Sequence, residues 1–277
     1  MDSVLRRFVI LGTPLVLGAL LITHPVLIAR HVIPTGGFSQ LLPQADWWLT
    51  VHMLYLPLFC LIGLAAFLLL DGVRGVAATI SRVALAVFVI FYPAFDAVFG
   101  IGAGILGHYA AGASADQQAI LSKVFDTFLL SPVTNLIALL GEVGWEVAML
   151  TAVLAFARPS RSRLLFTFLV LAAMVFGVWS LLTGFVALRP LWIWWVAIVV
   201  VSILLSLAAR PHLLVGLLAL AAFLFGTSHA PPIGPLGMAC FFLAALQYEL
   251  LQRKRASDES VTQVDTAGAV GVSRVSQ

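Results

Sequence analysis

The chain has 277 residues, 62% of them hydrophobic and 10% charged, with a net charge of +3 and a mean hydropathy of +1.09. Soluble domains carry roughly 25% charged residues, so the composition excludes a cytosolic enzyme, a nucleic-acid binder and a disordered chain. What remains is an all-α, polytopic membrane protein. The two cysteines, Cys60 and Cys240, both lie in apolar runs and build neither a disulfide framework nor a thiolate cluster.

A bilayer core about 30 Å thick needs about 20 apolar residues in helix. Eight runs qualify as spans: 8–29, 47–70, 76–107, 133–157, 163–188, 191–208, 212–226 and 237–252. Residues 1–255 thus read as a single transmembrane bundle. The last two runs are short and flank Thr227 to Leu236 (TSHAPPIGPL), rich in proline, so seven spans result if they form one broken or re-entrant element. The first run follows Arg6 and Arg7 as a signal peptide would, but no A-x-A cleavage pattern follows it, and it reads as a retained helix.

Orientation follows from the bias of Lys and Arg between loops. With eight spans and both termini cytoplasmic, twelve of the fifteen basic residues fall inside, Arg6, Arg7, Arg74, Arg82, Arg253 and Lys254 among them, against Arg30, Lys123 and Arg189 outside. The positive charge is a matter of topology, with the lipid bilayer as partner and no nucleic acid. Trp47, Trp48, Trp192, Trp194 and Trp195 then form an outer aromatic belt. Compact loops and the lack of an N-x-[ST] sequon fit a bacterial inner membrane.

Between the third and fourth spans, residues 116–130 place Ile120, Val124, Phe125, Phe128 and Leu129 opposite Asp116, Gln117, Ser122, Lys123 and Asp126. This is an amphipathic helix for the outer surface, opened by a capping box of Ser114 and Gln117. The polar segment 256–277 lacks periodicity and reads as a disordered cytoplasmic tail.

Ionisable groups at membrane depth are costly and so are default functional candidates. Asp96, Glu142 and Glu146 stand out. Glu142 and Glu146 share one helix face with Asn135, at depths of roughly 12 and 18 Å. Two adjacent carboxylates in a low dielectric need a counter-charge, and every Lys and Arg lies near a span end or in a loop. The neutraliser is therefore a proton, a bound cation or an outer histidine. Tyr92, Asp96, Gly100, Gly104 and His108 recur every four residues as one row, its glycines suited to close helix packing, including packing against a second copy of the chain. Pro93 is expected to kink this helix beside Asp96.

Five of the six histidines fall toward the outer face: His24, His31, His52, His108 and His229. His24, His52 and His229 with Asp96 suit zinc or another divalent metal with a position left for water; a His pair on facing helices would instead ligate haem. Taken singly, an outer histidine is equally an interfacial residue with a wet tip, and Glu142 and Glu146 are equally protonated glue between helices. Gly102, Gly104 and Gly107 fit G-x-G-x-x-G but follow no strand, so they are packing glycines.

Three functions follow. The first is an ion, metal or proton-linked site, with a transporter as its host, centred on Asp96, Glu142 and Glu146 and taking a small-molecule, ion or lipid ligand. The second is a metal-dependent intramembrane hydrolase at the outer leaflet, with His24, His52 and His229 on the metal. The third is a structural or assembly protein without a catalytic site.

Overall fold

The computed structural model describes residues 3–24, 37–156, 213–227, 229 and 231–273. Among them every regular element is helical. We number these α1 (Ser3–Ile22), α2 (Phe38–Leu69), α3 (Val76–Ala110), α4 (Ala115–Leu130), α5 (Pro132–Phe156), α6 (Leu213–Thr227) and α7 (Ile233–Ser273). The helices α1, α2, α3, α5 and the stretch Ile233–Lys254 of α7 are each long and apolar enough to cross a membrane, whereas α6 is shorter. The expected spans at 163–188 and 191–208 lie outside the described residues.

Burial follows the packing between helices. One cluster joins Leu17 and Leu21 of α1, Phe59 of α2, Phe88 of α3, Trp145 of α5, Phe225 of α6 and Phe241 of α7. The lateral surface stays apolar: Leu15 and Val16, Met53 and Leu54, Val83 and Ile90, and Leu136 are all exposed. Such a surface is costly in water and suited to lipid, and the protein is an integral membrane protein on this ground.

Close approach of α3 and α5 depends on two glycines one turn apart. A Cβ on Gly141 would lie 2.9 Å from the Tyr92 backbone, and one on Gly144 would lie 2.8 Å from the Phe88 amide nitrogen. The seam is held further by the Ser81 hydroxyl, which donates to the Ala148 carbonyl at 2.7 Å. The glycine row of α3 is used in the same way. Gly100, Gly104 and Gly107 face His52, Leu49 and Ala45 of α2.

Two charged clusters close the end of the bundle opposite the histidines. Glu249 of α7 is 4% exposed and accepts from Arg6 Nη1 at 2.6 Å and Arg7 Nε at 3.3 Å, while Arg6 also donates to the Leu68 carbonyl. Nearby, Arg82 Nη2 donates to the Leu70 and Val73 carbonyls at 2.6 and 2.8 Å. It satisfies acceptors at the end of α2 where Gly72 and Gly75 turn the chain with φ of 75° and 117°. Removing one partner of a buried ion pair costs about 3–5 kcal/mol, and the partial exposure of both arginines lowers this. Glu249→Gln is expected to cost about 1–3 kcal/mol, read as a lower Tm in detergent, with exposed Arg253→Gln leaving Tm unchanged.

The last helix continues to Ser273, through the polar segment that follows Lys254. Past Pro235 the chain has no proline, so nothing breaks the backbone ladder once Ile233–Lys254 has started it.

The amphipathic segment forms α4 with the expected capping box: Ser114 Oγ accepts from the Gln117 amide, and Gln117 Oε1 accepts from the Ser114 amide at 3.0 Å. Phe125 is its anchor. It packs against Phe38 and Phe99 in a small cluster with Trp48, while Ile120, Val124 and Phe128 stay exposed.

A candidate metal centre at one end of the bundle

His24 follows α1, His52 sits about four turns into α2, and His229 lies just before α7. These elements are far apart in sequence but meet because α1 and α7 run antiparallel. The pairing of Arg6 and Arg7 with Glu249 at one end brings the far ends, with His24 and His229, together at the other. The imidazole of His24 lies 5.2 Å from that of His52 and 5.1 Å from that of His229 between ring centroids. One nitrogen from each of the three histidines falls within 4.8 Å of the others. The group could hold a metal ion.

The surrounding hydrogen bonds orient these rings. His52 Nδ1 lies 2.8 Å from the Trp48 carbonyl oxygen, its acceptor, so the proton sits on Nδ1 and Nε2 carries the lone pair. The ring also stacks on Trp48 at 4.4 Å. His229 Nδ1 lies 2.9 Å from the Tyr92 hydroxyl, which leaves Nε2 as the ring atom without that partner. Burial, with His24 and His52 beside it, holds the His229 imidazole well below the usual histidine range, in the neutral form that a metal needs.

Asp96 completes the arrangement. It is 3% exposed and opens a π-helical turn, Asp96–Ile101, three residues after Pro93. Proline supplies no N–H, and the helix continues past Pro93 through this wider turn. Such turns frequently mark functional sites. Asp96 Oδ1 lies 3.8 Å from His52 Nε2. That contact is too long for a hydrogen bond and leaves the carboxyl beside the metal-facing nitrogen, within reach of a group held between them. Two nitrogen donors bonded at 2.0–2.1 Å to one zinc ion lie at most about 4.2 Å apart, so the three histidines, with nitrogens within 4.8 Å of one another, need to draw in by on the order of 1 Å.

The remaining candidates lie elsewhere. Glu146 is 7% exposed and packs under Gly226 of α6, where a Cβ would come within 2.9 Å of Glu146 Oε1. Glu142 is partly buried one turn away, and Asn135 is exposed. His108 pairs with Asp46 at 2.6 Å in the open, with side chains 59% and 82% exposed. His31 and His212 lie outside the described residues. The sequence did not reveal that Tyr92 reaches His229 or that the Trp48 carbonyl orients His52, although the i, i+4 spacing of Trp48 and His52 contains the second contact.

Comparison with protein-family models, with curated proteins and with solved structures finds no match to this chain.

Proposed function

We propose that this membrane protein works through a single divalent transition-metal ion, zinc by the chemistry of its donors, bound by His24, His52 and His229. The observation that carries this reading is the convergence of three neutral-capable imidazoles within 4.8 Å of one another, two of them aimed by hydrogen bonds through Nδ1, as metal-bound histidines commonly are. Imidazole donors with a nearby carboxyl suit zinc, copper(II) or iron(II) better than the harder magnesium and calcium. Haem fits less well, because rings with centroids 5.1–5.2 Å apart leave no slot for a macrocycle between them. Elemental analysis of detergent-purified wild type and His52→Ala protein tests the proposal: near-stoichiometric metal in the first and its loss in the second support it, and metal-free wild type after zinc loading and buffer exchange sinks it.

Gly100 gives a further test. A Cβ there would collide with the His52 ring and lie 3.0 Å from Asp96 Oδ1. Overpacking costs about 1–3 kcal/mol, here imposed on the ligand shell itself. Gly100→Ala is expected to weaken metal binding about tenfold or more, measured by competition with a chromophoric chelator.

A second reading is proton-linked transport through Glu142 and Glu146. It draws on the burial of Glu146 and on the lack, among the described residues, of a Lys or Arg ion pair to either carboxyl. Glu146→Gln would then abolish proton-dependent uptake in proteoliposomes while leaving the metal content intact.

A further inference from the structure

We propose that the metal at this centre keeps one coordination position for an exogenous oxygen ligand, held between the carboxyl of Asp96 and the hydroxyl of Tyr55. This rests on the reading of His24, His52 and His229 as metal ligands and says what else the ion binds. Two buried polar atoms carry it. Among the described residues Asp96 Oδ2 and Tyr55 Oη have no hydrogen-bond partner, although Asp96 is 3% exposed and Tyr55 is fully buried. Buried polar groups are normally paired, and an orphan calls for a ligand or an ordered water.

Both residues adjoin the imidazoles. Asp96 Oδ1 lies 3.8 Å from His52 Nε2. The Tyr55 ring is 5.4 Å from that of His52 and stacks on His24 at 5.8 Å with an interplanar angle of 7°. Their hydrogen-bonding characters are complementary: the carboxylate accepts, and the phenol donates. A metal-bound water would donate a hydrogen bond to Asp96 and accept one from Tyr55. A carbonyl or carboxyl oxygen in the same place accepts from Tyr55. The cysteines do not join the group, which leaves three nitrogen ligands and an open place, the pattern of zinc sites that bind substrate rather than of closed structural ones.

Cobalt(II) makes the open position visible, because its visible absorption follows coordination number. The full-length protein, stripped of metal and loaded with cobalt, is titrated with acetohydroxamate, a small oxygen-donor ligand. The expected result is a saturable change in the cobalt bands at one acetohydroxamate per cobalt. Tyr55→Phe and Asp96→Asn should still bind cobalt with unchanged bands in the absence of acetohydroxamate, but should bind acetohydroxamate about tenfold more weakly. Wild-type cobalt bands that ignore acetohydroxamate overturn the proposal and mark a closed site. Loss of cobalt, or altered bands before any addition, in Asp96→Asn also overturns it, since Asp96 would then be a ligand. Failure of wild type to bind cobalt is the separate outcome that removes the three-histidine reading itself.

Discussion

His52→Ala is expected to lower metal affinity by more than about 100-fold, because loss of a residue that merely orients a metal ligand already costs about 10–100-fold. The substitution removes one of three nitrogen donors and the ring that stacks on Trp48, and it uncouples Asp96 from the cluster. A cavity beside Trp48 would also lower stability, so retention on gel filtration must be read alongside metal content. His229→Ala provides the independent case: it lies outside the long helices, just before α7, and bonds to Tyr92 alone among the described side chains. Both variants should lose the ion. Tyr92→Phe, which deletes the partner of His229 but no ligand, should weaken binding by about 10–100-fold at most. Metal content equal to wild type in both histidine variants would contradict the assignment.

The second large effect concerns the fold. Gly144→Leu is expected to abolish recovery of monodisperse protein, because even a Cβ at this position would lie 2.8 Å from the Phe88 nitrogen and 3.1 Å from the Ala84 carbonyl oxygen. Those are backbone atoms of α3, which cannot swing aside as a side chain can. A leucine must therefore push α3 and α5 apart along the seam that also holds the Ser81 to Ala148 hydrogen bond. The cost exceeds the roughly 1–3 kcal/mol of an ordinary overpacked site, since van der Waals contact supplies most of the attraction between helices in lipid. Gly112→Leu is the control. No atom lies within 4 Å of a Cβ there, and its elution profile and Tm should match wild type.

Much of this architecture was legible in the sequence because it depends on local composition. Apolar runs fix where helices cross a membrane, and Ser114 with Gln117 announces the start of α4 within one turn of chain. The row from Tyr92 through Asp96 to Gly104 was readable for the same reason, being a property of a single helix. The meeting of His24 with His229, by contrast, depends on two helix ends more than two hundred residues apart in sequence. Periodicity suggests that His24 and His52 share a depth, whereas His229 was a candidate only through its place toward the outer face, with no spacing to fix its distance from them.

The contacts that aim the rings were less visible still. Tyr92 was read as one member of a stripe on α3, and only the approach of His229 gives its hydroxyl a partner. Glu249 stands near the end of an apolar run, and only the fold brings Arg6 and Arg7 onto it.

X-ray absorption at the metal edge of the purified, zinc-loaded wild-type protein tests the central claim most directly. The three-histidine centre predicts about one zinc per chain, with nitrogen and oxygen neighbours at about 2.0–2.1 Å and the outer-shell scattering of about three imidazole rings. A protein that retains no zinc, or a first shell with sulfur at about 2.3 Å, would contradict it.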